Sequence, residues 1–285
     1  MNVFNNELNE KYKQLFQTIS SYSKDSIDLD GICNENKDDL NSKEEKMIVL
    51  SNALKINTEL KEITLRKSFI NDKSVFHLSN SLSFLTWIDF SFNFIGDVGM
   101  KHLSSALKKN SSLKKINLSN NKIGDEGMKY LADSMKLNSS IDWIHITQND
   151  IGNDGIKYFS DALKVNRTLK EVDLGYNKIG EKNIKTISEL IEKNFVVHTS
   201  NKNFERGPEY LLDSLYFNNT LTKIFLEGNS VDQKVKNKIY SLVEENENNP
   251  TKSKKRVEEI LKKSKLIKFS PIILVTFCFF FQSKK

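Results

Sequence analysis

Apolar residues recur along this chain in a frame that repeats every 28 residues. The frame reads L-x-x-I-x-L, then two variable residues, then Asn, and it is most complete at 85–93, 113–121, 141–149 and 169–177. Apolar residues that alternate around a β-branched residue are typical of a short strand with one buried face. The pattern therefore predicts strands at about 60–65, 85–90, 113–118, 141–146, 169–174 and 221–226.

A helical pattern follows each predicted strand. The letters I-G end the strand with turn residues, and Asp97, Asp125 or Asn153 then stands where a helix N-cap is expected. Apolar residues next recur in steps of three and four, which place them on one helical face. Each unit is thus predicted to be strand, turn and helix, and single units must stack to bury their apolar faces.

The combined motif L-x-x-L-x-L-x-x-N-x-I-G-x-x-G-x-x-x-L-x-x-x-L, spread over about residues 59–246, resembles the leucine-rich repeat of the ribonuclease-inhibitor type. The resemblance implies an α/β fold: a horseshoe-shaped solenoid of about seven repeats, with a parallel sheet on its concave side and helices on its convex side. It also implies that proteins bind on the concave face and the rim.

Asparagines recur at two positions of the frame. We predict that the one after each strand is buried and hydrogen-bonds the bending backbone, because unpaired buried peptide groups are costly. This asparagine ladder comprises Asn93, Asn121, Asn149, Asn177, Asn201 and Asn229. The other set includes Asn110, Asn138 and Asn166, whose N-x-S/T context we interpret as turns between repeats rather than as glycosylation sites.

The chain divides into three predicted parts. Residues 1–57 are predicted to form an N-terminal helical cap and a degenerate first repeat, with a strand in the segment SIDLDGIC, a loop at 34–46 and a helix at 47–54. Residues 58–246 form the repeat domain. Its step from Asn177 to Asn201 is four residues short, which predicts a local bend or an imperfect strand at 196–199.

Residues 247–285 are predicted to form a basic linker and helix with an apolar C-terminal tail. The apolar run at 271–281 is about half of the ~20 residues that a membrane-spanning helix needs. Three interpretations stay open: weak association of residues 251–285 with an anionic membrane surface, a terminal strand or cap, and translated non-coding sequence.

Composition narrows the functional classes. The net charge is +6, and basic residues alternate with acidic ones instead of forming a stripe, which argues against nucleic-acid binding. The two cysteines, Cys33 and Cys278, give no disulfide framework, and the first residues lack the pattern of a signal peptide. We therefore expect a reducing, cytoplasmic setting, with membrane-surface association as the alternative.

Chemical motifs are lacking in the sequence. It has no phosphate-binding loop, no H-E-x-x-H, no G-x-S-x-G and no C-x-x-C. The four histidines occupy different repeat positions, and His145, expected between Asn117 and Asp173, fits a cross-strand polar pair better than an acid–base catalyst. We predict no catalytic residue, no metal site and no cofactor.

The variable letters of the strands carry the functional signal. Strand side chains alternate between faces, so these letters point to the concave face. Both tryptophans of the chain fall in one column, two repeats apart, and exposed aromatic residues beside charges are typical of protein interfaces. The predicted protein-binding residues are Trp87, Asp89, Phe92, Lys115, Asn117, Trp143, His145, Glu171, Asp173 and Tyr176.

These observations favour a non-enzymatic scaffold or adaptor that binds another protein. One alternative is a GTPase activator similar to the Ran GTPase-activating proteins, although those relatives have more repeats and an acidic tail, whereas this tail is basic. The other is a membrane-surface adaptor that uses the tail. The sequence does not identify the partner.

Overall fold

The computed structural model describes residues 10–33, 40–180, 211, 215, 218–252 and 255–256. Within them, seven strands form one parallel sheet whose strand order follows the chain. The strands are β1 (Ser26–Asp28), β2 (Glu62–Thr64), β3 (Trp87–Asp89), β4 (Lys115–Asn117), β5 (Trp143–His145), β6 (Glu171–Asp173) and β7 (Lys223–Phe225). The predicted strand positions are confirmed, and β1 lies in the segment SIDLDGIC.

Each strand has three residues, where the 28-residue frame predicts six. Neighbouring chains stay side by side beyond the strand, since Phe90 N donates to Asn117 O at 2.8 Å and Phe92 N to Ser119 O at 2.9 Å. Phe92 then takes a positive φ of 58°, which turns the chain out of the pleated sheet. The outer apolar residues of the frame, such as Leu85 and Phe90, are therefore buried beside the strand rather than within it.

The described helices alternate with the strands. They are α1 (Glu10–Ser20), α2 (Leu40–Ile56), α3 (Asp72–Leu78) with a 3₁₀ turn at Ser79–Ser81, α4 (Asp97–Leu107), α5 (Asp125–Met135), α6 (Asn153–Leu163) and α7 (Gln233–Asn248). Neighbouring helices from α1 to α6 pack side by side. The helix α7 runs two residues past the predicted boundary at 246.

The prediction of a loop over 34–46 was wrong for residues 40–46, which belong to α2. The polar residues of this stretch bind neighbouring parts of the fold. Lys46 Nζ donates to Ile32 O at 2.8 Å, and Glu44 Oε2 lies 2.6 Å from Lys73 Nζ. The polar residues at 40–46 therefore lie on a helix and contact neighbouring elements, although their composition is typical of a loop.

One apolar core runs through the stack between the sheet and the helices. The middle residue of β2 to β6 is a fully buried Ile or Val, for example Ile88 and Ile116. The inward face of α4 meets them with Met100, Leu103 and Leu107, all buried in the same core. The first and third residues of each strand point to the opposite side, which we call the open face.

The ladder asparagines bind the backbone of two repeats at once. The side chain of Asn121 shows the pattern: Nδ2 donates to the carbonyls of Phe90, Leu118 and Ser119 at 3.0, 3.0 and 3.3 Å. Its Oδ1 accepts from Ile95 N at 2.9 Å. Comparable bonds are made by Asn93, Asn149, Asn177 and Asn229. Each repeat is therefore completed by a side chain of the next one.

Asn201 and residues 196–199 lie outside the described residues. The strands β6 and β7 pair directly, with Glu171 opposite Lys223. Asn229 supplies the ladder position next to Asn177, because its Oδ1 accepts from Asn177 N and Ile179 N at 3.1 Å each. In the described part of the sheet, the neighbour of repeat 169–177 is thus the repeat that starts at Leu221.

A second set of asparagines closes the turn before each strand. The Oδ1 of Asn138 accepts from Ser140 N and Ile141 N at 2.9 Å each, while Nδ2 donates to Leu107 O at 2.8 Å. The same acceptor pattern is found at Asn57, Asn110, Asn166 and Asn218. The interpretation of Asn110, Asn138 and Asn166 as inter-repeat turns is confirmed.

The prediction that Asp97, Asp125 and Asn153 are helix N-caps was wrong by one position. The caps of α4, α5 and α6 are Gly96, Gly124 and Gly152. Asp97 is instead the first residue of α4, and its Oδ1 accepts from Gly124 N at 2.7 Å and Gly127 N at 2.9 Å. The carboxylate of one repeat therefore caps the helix of the next repeat, and Asp125 does the same one step on.

This contact explains the second glycine of the motif. A Cβ at Gly127 would lie 2.5 Å from Asp97 Oδ1 and 2.8 Å from Ile123 Cγ2. Gly127→Ala is therefore expected to lower the free energy of unfolding by about 1–3 kcal/mol, as overpacking typically does, although alanine alone favours a helix by ~1 kcal/mol. Urea unfolding measures the effect.

A double-mutant cycle with Asp97→Ala is the control. Once the carboxylate is gone, the added methyl group should cost less, so the two changes should be coupled. Equal or higher stability of the Gly127→Ala single variant would contradict the proposed close contact.

Candidate protein-binding surface

Strand register aligns the variable letters in two columns on the open face. Trp87 in β3 is opposite Lys115 in β4, which is opposite Trp143 in β5. The first column is Glu62, Trp87, Lys115, Trp143, Glu171 and Lys223, and the second is Thr64, Asp89, Asn117, His145, Asp173 and Phe225. Adjacent strands lie ≈ 4.8 Å apart, so the two tryptophans of the first column are separated by about 10 Å.

Trp143 is held in place by its neighbours. Its ring stacks on His145 with the centroids 3.6 Å apart, and its Nε1 donates to Glu171 Oε1 at 2.9 Å. His145 Nε2 lies 3.2 Å from the same oxygen, and Lys223 Nζ lies 3.8 Å from Glu171 Oε2. The partner of His145 is thus Glu171, and Asn117 and Asp173 are its strand neighbours. The indole is presented in one orientation.

Trp87 differs from Trp143 in its bonding. It is partly exposed, like Trp143. Within the part of the chain that the structure describes, its indole N–H makes no hydrogen bond, whereas that of Trp143 does. The donor of Trp87 therefore remains available to a ligand on the open face.

The second column mixes exposed residues with residues that close turns. Asp89 is only 7% exposed, and its carboxylate accepts from Ser91 N at 2.8 Å and Asn117 Nδ2 at 3.1 Å. Asn117 Oδ1 accepts in turn from Ser119 N at 3.1 Å. Such side chains bonded two residues along the chain are turn-forming, so Asp89 offers little surface to a partner.

The residue before each described ladder asparagine, and before Ser68 in the equivalent position, adopts a left-handed conformation. The φ values are 52° to 58° at Lys67, Phe92, Asn120, Gln148 and Tyr176, and 67° at Gly228. A left-handed conformation costs roughly 1–2 kcal/mol for a residue other than glycine. Phe92 and Tyr176 nevertheless stand there with 42% and 61% of their surfaces exposed. The turn thus presents two aromatic side chains at the rim of the open face.

Sequence comparison identifies the repeated unit. The family model described as "Leucine Rich repeat" matches residues 109–132 and 165–185. The chain contains leucine-rich repeats. With the parallel sheet and alternating helices, the fold is an α/β solenoid of such repeats. No curated protein matches the chain.

Three solved structures show a distant likeness to the chain. Leiomodin-1 actin-binding site 2 is 13% identical with a TM-score of 0.33, covering 90% of this chain and 99% of that one. The tropomodulin C-terminal domain of Caenorhabditis elegans is 9% identical with a TM-score of 0.35, covering 87% and 97%. An internalin of Listeria monocytogenes is 18% identical with a TM-score of 0.33, covering 66% and 54%. Scores this low give no indication of what the present chain binds.

Aromatic residues of the early repeats stack with cations. The guanidinium of Arg66 lies 5.5 Å and Lys67 Nζ 5.6 Å from the centroid of Phe92, and Lys122 Nζ lies 5.0 Å from that of Phe94. Phe94 and Arg66 lie beyond the strand letters and are not among the predicted protein-binding residues, and no repeated letter at their positions marks them in the sequence.

The later repeats carry a destabilised carboxylate. Burial raises the pKa of Asp173 above its ordinary value, and the charges of Glu227 and Glu171 act in the same direction, while the bond from Gly175 N and the nearby His145 oppose the rise. A raised folded-state pKa means that ionisation of Asp173 opposes folding. Its contribution to stability is greatest below the unfolded-state pKa and is lost as pH rises through the folded-state pKa.

The basic C-terminal segment is only partly described. Arg256 lies against the last repeat, with Nη2 donating to Leu215 O at 3.2 Å and to Asn246 Oδ1 at 3.1 Å. Residues 257–285, which include the apolar run, lie outside the described residues. Among the residues that are described, no helix has the length and apolarity needed to cross a membrane.

Proposed function

We propose that the open face of these leucine-rich repeats binds another protein without catalysis. The observation that carries the proposal is the alignment of Trp87 and Trp143 on that face, both partly exposed, with Trp143 fixed by His145 and Glu171. Tryptophan is enriched among the few residues that dominate binding energy at protein interfaces.

Rigidity of the anchor supports this function. A side chain that is already fixed loses little conformational entropy when a partner covers it, so more of the contact energy appears as affinity. Trp143 meets this condition, because one face of its ring is covered by His145 and its N–H is bonded. The free indole N–H of Trp87 adds a donor that a partner's carbonyl or carboxylate can accept.

Backbone strain at the rim of the open face also supports protein binding there. Strained residues cluster at binding sites, where the surrounding fold over-determines them. Glycine or asparagine would satisfy the left-handed turn at lower cost, as Gly228 and Asn120 do. Large exposed aromatic side chains at Phe92 and Tyr176 are therefore better explained by what they contact than by the turn.

The test is the double variant Trp87→Ala/Trp143→Ala. A partner captured by the wild-type chain and then purified should bind the variant at least roughly thirtyfold more weakly, because truncating an interface anchor costs about 2 kcal/mol or more. Circular dichroism should show an intact fold, since neither side chain belongs to the core between sheet and helices. Titration calorimetry gives the affinities.

The matched control is Leu137→Ala/Val165→Ala. These residues are apolar and more exposed than the two tryptophans, and each follows a helix instead of lying on the open face. Affinity should stay near the wild-type value. Unchanged affinity of the tryptophan double variant would place the interface elsewhere on the repeats.

We also propose that the repeats are of the ribonuclease-inhibitor type, on the strength of their 28-residue period and full helices. A cytoplasmic location is proposed with it. The GTPase activator and the membrane adaptor stay predictions from the sequence, and the tail that the second one needs lies outside the described residues. A panel of GTP-loaded small GTPases and vesicle flotation without residues 250–285 test them.

A further inference from the structure

A cavity of about 470 Å³ opens on the open face where β5, β6 and β7 end. Its walls include the rings of Tyr176 and Phe225, the carboxylates of Asp173 and Glu227, and the amide of Gln148. These residues come from three adjacent repeats, so the stack itself shapes the cavity. Among the residues that the structure describes, no lysine or arginine lines it.

The described walls of the cavity differ in this respect from several other carboxylate positions of the chain. The chain has 43 Lys and Arg against 37 Asp and Glu, and many surface carboxylates pair with lysine. Glu171, one column away, is near both Lys223 and His145. Within the described ranges, neither Asp173 nor Glu227 has a Lys or Arg partner. The cavity is thus a concentration of negative charge on a basic protein.

The aromatic walls are positioned by the backbone. Tyr176 takes its left-handed conformation, and its ring lies over Gly228, where any Cβ would overlap it. Glu227 is steadied by Tyr240, whose hydroxyl donates to Glu227 Oε1 at 3.3 Å. Both rings are exposed to solvent at the mouth of the cavity. The electron-rich faces of such rings attract cations, and nearby carboxylates strengthen the attraction.

We propose that this cavity receives an arginine or lysine side chain of the protein partner. Two aromatic rings and two carboxylates, with no lysine or arginine beside them among the described residues, form the complement of a cationic group on an apolar stem. The proposal rests on the proposed function, since it assigns a recognition element of the partner that the open face binds. Arrival of a cation also compensates the cost of a half-buried carboxylate at Asp173.

The probe is N-acetyl-arginine amide, with its neutral isostere N-acetyl-citrulline amide as control. In a ¹H–¹⁵N NMR titration of the full chain, the arginine compound should shift the amide signals of Gly175, Tyr176 and Gly228. Saturation is expected on the order of 1 mM or weaker, as befits one side chain. The citrulline compound should leave these signals unmoved. N-acetyl-lysine amide shows which cation is preferred.

Asp173→Asn and Glu227→Gln each remove one charge and keep the shape. Asparagine at 173 can still accept from Gly175 N, so the turn is preserved. Either variant should weaken the arginine titration about tenfold, and Asp150→Asn, an exposed carboxylate paired with Lys178 outside the cavity, should not. Melting curves check folding, and the raised pKa of Asp173 predicts no loss of stability for Asp173→Asn at neutral pH.

The outcomes separate the two proposals. Saturable arginine-specific shifts at the cavity that the 173 and 227 variants weaken support a cation site. Equal shifts with citrulline, shifts elsewhere or no shifts overturn it. The tryptophan double variant is judged on its own partner titration, so the cation site can fail while protein binding by the open face stands, and the reverse also holds.

Discussion

Asn93→Ala is expected to lower the free energy of unfolding by about 2–6 kcal/mol, roughly twice the loss from Asn121→Ala. Asn93 Oδ1 accepts from both Ser68 N and Ile70 N, at 3.0 Å each, whereas Asn121 Oδ1 accepts only from Ile95 N. Each buried N–H left without a partner costs about 1–3 kcal/mol. The count of orphaned donors therefore sets the order of the two variants.

The carbonyl side of the ladder should widen this difference. Phe90 O and Leu118 O, which accept from Asn121, each keep a second asparagine donor when Asn121 is removed. Leu65 O accepts from Asn93 Nδ2 at 2.8 Å and, among the described residues, from no other donor. Asn93→Ala therefore leaves one carbonyl unpaired that Asn121→Ala does not.

Urea unfolding of the two variants beside Asn237→Ala tests this order. Asn237 is exposed on α7, so its replacement should change stability little. Hydrogen exchange should show increased opening in the repeats on both sides of the substituted asparagine, because solenoid stability depends on neighbouring interfaces. Equal losses at Asn93 and Asn121 would contradict the donor count.

Leu118→Ala is expected to cost about 2–5 kcal/mol. Leu118 is fully buried in the core just after β4. Truncating a buried leucine removes packing and leaves a cavity that the surroundings fill only in part. Chemical denaturation of the full chain, followed by circular dichroism, measures the loss.

Leu137→Ala is the matched control for this prediction. The chemical change is identical, but Leu137 is 69% exposed. Its replacement should alter stability by no more than about 0.5 kcal/mol, as is usual for surface sites. Similar losses for the two variants would mean that the frame does not distinguish core from surface at these positions.

The strand positions could be predicted because burial repeats in the frame. Ile88, Ile116 and Ile144 each stand between two outward letters, so alternation alone indicates the buried face. The two columns of the open face follow from the same alternation. How exposed each residue of a column is does not follow from the alternation. Asp89 occupies an outward position of the frame, and yet it is buried and bonds Ser91 and Asn117.

Contacts between repeats were harder to predict. The sequence shows that Asp97 precedes a helical pattern, which suggested capping of its own helix. How neighbouring repeats are placed side by side can be seen only in the structure, where the carboxylate of Asp97 accepts from Gly124 N and Gly127 N of the next repeat. Asn229 lies beside Asn177, and the ladder position predicted at Asn201 lies outside the described residues.

The left-handed turns were not predicted either. The position before Ser68 and before the described ladder asparagines holds Lys, Phe, Asn, Gln, Tyr and Gly, which is no recognisable turn composition. Only Asn120 and Gly228 are residue types that favour positive φ. The other residues adopt the left-handed conformation because the fold of the repeat imposes it. A conformation that recurs with different residue types cannot be recognised from the sequence.

The pairing of the strands and the bond of the ladder asparagine join β6 to β7. This joint bears on how such a chain can change in evolution. Asn177 and Asn229 are 52 residues apart in the chain, and yet the bond from Asn229 Nδ2 to Leu174 O repeats the one from Asn121 Nδ2 to Phe90 O. A joint requires only a matching frame on each side, whatever length of chain connects the frames. Duplication or loss of one unit would therefore widen or narrow the open face by one strand with the existing joints, and a lineage could resize its binding surface in a single genetic event.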